Sequence, residues 1–284
     1  MSRTVYVNGA FEPEEDAKVS VFDRAFLFGD AIYEVTAVLG GRLVDFEGHL
    51  ARLDRSLREI EIPRPMPDEG FRELHETLIA ENKVDEGIVY IEISRGSAER
   101  DFAHPPSPSP TVVAFTQSRP LVDHPQAETG VAVITIPDIR WKRRDIKSTS
   151  MLPQVMGKQE AKALGAYEAW MVEDGVVTEG TSSSAFIVDA NGVLRTQPLG
   201  PHILPGVTRR AILRLAEEDG VATEECPFSV AEAYAAREAF MTAASAFVLP
   251  VVAIDGKEIG DGTPGLIARA FRQHYIAEAR AASA

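Results

Sequence analysis

Asp145-Ile146-Lys147-Ser148-Thr149-Ser150 sets one lysine between two contrasting patterns. Upstream, Val131–Ile136 is a β-branched run fit for a buried strand. Downstream, Gln154–Leu164 has helical spacing. A side chain on a connection between two such elements is free to point into a cleft. Arg143 and Arg144 precede Lys147, and neighbouring cations disfavour an ammonium. The neutral amine is the form that attacks an aldehyde carbon. Lys142 and Lys158 compete for the role, and a lysine taken alone is most often a solvated surface residue.

Working outward, Val177-Thr178-Glu179-Gly180-Thr181-Ser182-Ser183-Ser184 sets one acid among glycine and small hydroxyls. Such a turn lets a flat heterocycle approach closely, and a carboxylate on a pyridine nitrogen keeps that nitrogen protonated. The plain alternative is a solvated acid in a polar turn. Leu204-Pro205-Gly206-Val207-Thr208-Arg209 leads into a helix over Val207–Glu218, with Thr208 as the expected N-cap and Gly206 admitting a ligand to the backbone. The free N–H groups of a helix start bind phosphate, although most such starts are only capped. Thr242-Ala243-Ala244-Ser245-Ala246 is a second small-residue turn with N–H donors to offer. Arg52, beside Leu53 on an amphipathic helix pattern, is either a fixed cation for an anion or a solvated flank residue. Arg100 opens a proline-rich segment and is placed to clamp a carboxylate. Tyr33 offers a hydroxyl from a hairpin.

The remaining pattern is mixed α and β. Strands are expected at Thr4–Val7, Lys18–Val21, Ile32–Leu39, Arg42–Phe46, Ile88–Ser94 and Thr111–Thr116, with Gly40-Gly41 as a hairpin turn. Leu50, Leu53, Leu57 and Ile60 mark one helix and Pro67–Asn82 a second. Further on, strands are expected at Glu168–Val172, Ala185–Val188, Glu238–Met241 and Val248–Ile254, and a helix at Pro264–Ala279. Two loops stand out: Arg100–Pro110, expected to be mobile and near the active site, and Ser118–Gln126. The expected organisation is an N-terminal domain over 1–118, a linker over 119–126 and a C-terminal domain over 127–284. No repeat and no GxGxxG or GKS/T element is present.

Composition narrows the function classes. With 284 residues, 45% of them hydrophobic and 25% charged, the chain can bury large cores. Cys226 is the single cysteine, so an intrachain disulfide and a CxxC metal site are both excluded. The six histidines show no HExxH or HxH clustering, so no metal is expected. A formal charge of −14 argues against a nucleic-acid surface. No apolar stretch is long enough for a membrane span, and a cytoplasmic protein is expected. Arginine outnumbers lysine 22 to 7, so any bound anion is expected to meet an arginine.

The order of these motifs resembles one family. Phe22-Asp23-Arg24, Gly29-Asp30-Ala31-Ile32-Tyr33-Glu34, His49-Leu50-Ala51-Arg52-Leu53, Asp138-Ile139-Arg140-Trp141 and the Lys147, Glu179 and Gly206 segments together resemble the fold-type IV pyridoxal-phosphate enzymes, the class IV aminotransferases. The likeness covers nearly the whole chain. It implies two α/β domains with pyridoxal 5′-phosphate in the cleft between them, and a homodimer whose partner loops help to close each site. It implies Lys147 as the catalytic Schiff-base lysine and Glu179 as partner of the pyridine nitrogen. Arg52, Ser182, Val207, Thr208, Ala243, Ala244 and Ser245 are implied around the cofactor, and Tyr33, Arg100, Phe102, His104 and Arg140 around the substrate.

Within the family, the DIRW…DIKS spacing and Arg95–Arg100 are most similar to D-amino-acid transaminases. That subgroup holds the substrate carboxylate with an arginine and a histidine two residues on. This chain has Arg100 and Phe102, with His104 two residues further. The implied reaction moves an amino group between a D-amino acid, of the D-alanine or D-glutamate type, and a 2-keto acid. An R-selective amine transaminase is the alternative. Branched-chain aminotransferases usually carry Asn-Tyr where this chain has Ser150-Met151-Leu152, which speaks against that subgroup and likewise against aminodeoxychorismate lyases. A protein that keeps the fold without cofactor is the rival from outside enzymology.

Overall fold

The computed structural model describes residues 2–281, which fall into two compact units. The first runs to Pro120 and includes Ile146–Ser150. The second comprises Leu121–Asp145 and Met151–Glu278.

The first unit is built from β1 (Thr4–Val7), β2 (Ala10–Pro13), α1 (Arg24–Phe28), β3 (Ala31–Leu39), β4 (Arg42–Leu43), α2 (Phe46–Glu59), α3 (Asp68–Asn82), β5 (Glu86–Ser94) and β6 (Thr111–Ser118). Its six described strands form an antiparallel sheet in the order β2-β1-β6-β5-β3-β4. Gly40 and Gly41 have φ of 60° and 71°, the left-handed pair that a two-residue hairpin between twisted strands requires. One sheet face is covered by α2 and α3. Leu50, Leu53 and Leu57 of α2 and Phe71, Leu74 and Leu78 of α3 pack there with Val89, Ile91, Ile93, Val112 and Ala114. Strand alternation sends Tyr33, Tyr90 and Glu92 to the opposite face, where they are half-buried.

The second unit contains β7 (Val131–Pro137), α4 (Leu152–Ala163), β8 (Glu168–Glu173), β9 (Val176–Gly180), β10 (Ser184–Val188), β11 (Leu194–Thr196), α5 (Val207–Glu218), β12 (Thr223–Glu225), α6 (Val230–Tyr234), β13 (Glu238–Ala243), β14 (Phe247–Ile254), β15 (Lys257–Glu258) and most of α7 (Leu266–Ala281). The described strands form a mixed nine-stranded sheet, β12-β11-β10-β13-β14-β7-β8-β9, with β15 paired to β14. Trp170, Ile187, Met241, Leu249 and Val251 share one core. On the stacked pair Phe186–Phe240, ring centroids 4.8 Å apart, Phe271 of α7 packs edge-on. Ile212, Leu215 and Ala216 give α5 its buried stripe.

Three expectations give way. Lys18–Val21 is not a strand: Val19 and Val21 are exposed and join no sheet among the described residues. Alternation alone does not make a strand without a partner edge. The strand expected at Arg42–Phe46 stops at Leu43, because Asp45 turns left-handed (φ 53°) and Phe46 opens α2, buried edge-on to His75. The third concerns residues 146–150, which the sequence groups with 127–284 but which pack with the first unit. Tyr33 N–H donates to Lys147 O at 2.9 Å, Thr149 N–H donates to Ala31 O at 3.0 Å, and Ile146 joins the α2/α3 core.

Candidate active site

Lys147 is fixed from both sides. Ile146 is buried, the Lys147 N–H donates to Ser56 Oγ at 3.3 Å, and its carbonyl is held by β3. The amine comes to rest 4.2 Å from the Tyr33 ring centroid, over the π face that attracts a cation. Tyr33 in turn stacks on Tyr90, centroids 5.6 Å apart. The two arginines expected to act on Lys147 are engaged elsewhere. Arg143 pairs with Asp145, and the buried Arg144 pairs with Asp138 and Glu173.

Beside Tyr33, Glu34 points to the helical face. Arg52 Nε donates to its Oε1 at 2.7 Å and Nη2 to its Oε2 at 2.8 Å, and His49 Nδ1 lies 2.8 Å from Oε2. Burial alone would raise the Glu34 carboxyl. The Arg52 charge and the two hydrogen-bonding partners outweigh it and hold the group far below the ordinary carboxylate range. Burial keeps the His49 ring pKa low against the pull of Glu34, and the Arg52 and Lys147 charges add to the lowering. Arg52 is therefore an inner-face cation set by Glu34, not a solvated flank residue.

Arg100, Phe102 and His104 are all exposed on their loop. The Arg100 guanidinium lies 5.4 Å from the Phe28 ring and 5.6 Å from the Phe102 ring. The Lys147 amine rests instead on Tyr33, and the Tyr33 ring on Tyr90. The Arg100 loop is pinned by a residue whose sequence context does not single it out. Arg24 donates to Asp101 O at 2.6 Å, to Ala103 O at 3.3 Å and to Phe102 O at 3.4 Å, while its Nε holds Asp30. The segment expected to be mobile is thus tied at residues 101–103 to the buried Arg24.

In the second unit, Glu179 lies near the end of β9 and is 5% exposed, not a solvated turn acid. Arg140 Nη1 donates to it at 2.5 Å, and the Leu204 N–H lies 3.2 Å from both carboxylate oxygens. Arg140 gives Nε and Nη2 to Asp138, which also accepts from Thr178 Oγ1. Burial pushes the Glu179 carboxyl up, and the Arg140 charge and hydrogen bonds only partly offset it. Arg140, expected at the substrate, is committed here to two carboxylates. Glu168, unremarkable in the sequence, organises the turn after Glu179. Thr181 Oγ1, Ser182 Oγ and Ser183 Oγ all donate to its carboxylate at 2.8–2.9 Å.

The α5 start is open in this unit. The N-cap is Gly206, not Thr208, and it makes no side-chain capping bond. Val207 and Thr208 are the first helical residues, so their N–H groups have no partner within the helix. A Cβ on Gly206 would lie 2.8 Å from Ser184 Oγ. Ser184 is the cross-strand partner of Thr242, whose buried Oγ1 has no hydrogen-bond partner among the described residues. Ala243, Ala244 and Ser245 follow directly. A helix start with an orphaned hydroxyl beside it suits a phosphate.

Comparison with known proteins shows the family. The model of the amino-transferase class IV family matches residues 31–254. The D-alanine aminotransferase of Staphylococcus epidermidis is 39% identical over 274 residues, covering 95% of this chain and 96% of that protein. That of Bacillus licheniformis is 38% identical over 263 residues, covering 92% of each. A hypothetical aminotransferase from Mycobacterium tuberculosis, solved in its PLP-bound form, shares the fold: TM-score 0.84 and 23% identity, covering 99% of this chain and 100% of that one. The mixed α/β fold is that of an aminotransferase, and the chain belongs to the class IV family.

Proposed function

We propose that this protein is a pyridoxal 5′-phosphate-dependent transaminase that moves an amino group between a D-amino acid and a 2-keto acid. The observation that carries the reading is the 39% identity to a D-alanine aminotransferase across 95% of the chain. The residues fit the cofactor: the orphaned Thr242 hydroxyl, the open α5 start and the buried acid Glu179 supply what a phosphate and a pyridine nitrogen need. Bound there, pyridoxal phosphate supplies an electron sink for the substrate carbanion.

The protein's own groups divide the work. Lys147 holds the cofactor through its amine and, once released, carries a proton from and to substrate Cα as base and acid. Glu179, kept in place by Arg140 and Leu204, accepts a hydrogen bond from the ring nitrogen and keeps its proton there. Val207 and Thr208 N–H groups, Thr242 and Arg52 bind the phosphate, with Ser182 and the Ala243–Ser245 turn alongside. Tyr33 orients the lysine. Arg100 binds the substrate carboxylate from its loop, with Phe102 and His104 shaping that end, in a homodimer acting in the cytoplasm. The domain assignment at 119–126 belongs to the same reading.

The test is Lys147→Ala. Visible absorbance of the bound cofactor and turnover of D-alanine with a keto acid should both disappear; a variant that keeps the band and the rate overturns the reading. A second reading has one observation in its favour. Phe102, 78% exposed, stands where the D-amino-acid subgroup has its second carboxylate-binding side chain. An R-selective amine transaminase would turn over R-1-phenylethylamine as fast as D-alanine and would tolerate Arg100→Ala with that amine.

A further inference from the structure

One turn of the second unit is held in an unfavourable backbone conformation by a helix further along the chain. Thr242-Ala243-Ala244-Ser245-Ala246-Phe247 joins β13 to β14, and the Ala246 N–H donates to Ala243 O at 3.1 Å to close it. Phe247 ends the turn left-handed, with φ 59°. The other described non-glycine residues of positive φ are Asn8, Asp45, Glu61, Lys83, Asp174 and Asp255, so Phe247 is the one apolar side chain placed this way. A bulky residue in that region is strained, and such a conformation persists only where its surroundings over-determine it.

Those surroundings come from one face of α7. Arg272, itself buried, donates from Nη1 to Ala246 O and to Val248 O, each at 2.8 Å, so one nitrogen fixes the carbonyls on both sides of Phe247. Its Nη2 reaches Leu121 O and, at 3.0 Å, Val122 O. Tyr275, three residues on and so on the same helix face, meets the buried Phe247 ring edge-on, centroids 5.1 Å apart. What the turn offers an anion depends on this backbone path. Ala243 and Ala244 carry no polar side-chain atom, and the Ala244 and Ser245 N–H groups make no hydrogen bond among the described residues. Thr242, whose buried Oγ1 has no partner among the described residues, is the cross-strand partner of Val248. The Val248 carbonyl that Arg272 holds therefore also sets the strand opposite that hydroxyl.

We propose that Arg272 is a positioning residue for the cofactor's phosphate: it holds the Thr242–Phe247 turn, before any ligand arrives, in the form that presents the Ala244 and Ser245 N–H groups and the Thr242 hydroxyl. This rests on the transaminase reading, because the phosphate is that of pyridoxal 5′-phosphate. Arg272 acts through main-chain carbonyls and not through a contact of its own with the phosphate. Donors fixed in advance bind an anion without the entropy cost of ordering a loop around it. The left-handed Phe247 and the guanidinium that flanks it are thus two parts of one device, in which α7 keeps strained a turn that would otherwise relax away from the phosphate.

The test titrates the full-length chain with pyridoxal 5′-phosphate and with pyridoxal, which lacks the phosphate, by visible absorbance. Arg272→Lys keeps the charge but loses the fork of donors. Its Kd for pyridoxal 5′-phosphate should rise on the order of tenfold, while its Kd for pyridoxal stays within about twofold of wild type. The phosphorus NMR line of the bound cofactor should shift or broaden in the same variant. Phe271→Leu loosens α7 against Phe240 without touching the turn, so it should keep the wild-type ratio of the two Kd values. An unmoved ratio in Arg272→Lys, or an equal change in Phe271→Leu, overturns the inference. Should Arg272→Lys fail to fold, the wild-type chain decides: NMR order parameters of residues 243–247 should be as high before loading as after, and a turn that orders only on loading overturns it. A wild-type chain that binds neither compound would bring down the parent reading and this one with it, whereas binding of pyridoxal 5′-phosphate with an unmoved ratio brings down this one alone.

Discussion

Glu34 in the first unit and Glu179 in the second are both buried carboxylates held by a buried arginine, yet their acidities move in opposite directions. Glu34 takes Nε and Nη2 of Arg52 with both its oxygens and has His49 as well. Glu179 receives Nη1 of Arg140, whose Nε and Nη2 serve Asp138. Desolvation is the largest single influence on each. What differs is the share of a guanidinium that each carboxylate commands, and the nearby Asp138 charge, which further raises Glu179. The first arrangement is a structural clamp that fixes Arg52. The second leaves a carboxylate only partly compensated by its arginine.

The largest effect expected is in the first cluster. Arg52→Ala strands Glu34 in the core, and loss of one partner of a buried pair costs about 3–5 kcal/mol. Urea unfolding should register it. A loss below about 1 kcal/mol would mean that Glu34 finds another partner and that the clamp is not one. In the second cluster Arg140→Met should cost less, about 2–3 kcal/mol, because the Leu204 N–H still serves Glu179 and Arg144 lies 3.2 Å from Asp138. The same variant should push the Glu179 carboxyl higher still and weaken cofactor binding; a cofactor affinity equal to wild type would break the contrast between the two clusters. Asp138→Asn sharpens it instead. With Arg140 no longer shared between two charges, Glu179 should become more acidic, read by isotope-edited infrared or carbon NMR of that carboxyl, with a stability change of about 1 kcal/mol or less.

How far the sequence reaches follows the same divide between local and long-range causes. The elements flanking Lys147 and Gly206 are legible because strand and helix patterns are local. The helix stripe Leu50-Leu53-Leu57 and the Gly40-Gly41 turn are legible because period and φ are local properties. What escapes depends on contacts across tens of residues or on a turn's own folding back. Arg24 reaches the carbonyls of 101–103, and Glu168 gathers the hydroxyls of 181–183. Nothing within a few residues of either announces the partner. The N-cap falls at Gly206 and not at Thr208 for the opposite reason: propensity favours threonine, but Thr242 and Ser184 leave a polar cradle at this helix start that glycine keeps open. Short strands such as β11, β12 and β15 are unreadable because pairing, not composition, makes them strands.

The smallest effect separates the two units by acid response. His75 of α3 is 2% exposed, edge-on to Phe46, with Nδ1 2.7 Å from Phe71 O. Burial pushes its pKa from the usual 6.5 down to about 4, and burial lowers His49 in the same unit as well. The native protein thus keeps these rings neutral in a range where the unfolded chain binds a proton. The unfolded state takes up more protons between the two pKa values, so stability is full above the unfolded value and falls as pH drops from about 6.5 toward 4. For His75 this amounts to about 0.7 kcal/mol between pH 7 and pH 6, a small part of a total set by its full shift. Carboxylates such as Glu34 and Glu173, whose pKa values are depressed, lose their contributions only at still lower pH and leave that window clean. His75→Gln should flatten the slope of unfolding free energy against pH in that window, and hydrogen exchange in wild type should show α3 amides losing protection on acidification ahead of those in α5. An identical slope in the variant would assign the acid limb elsewhere and remove this difference between the units.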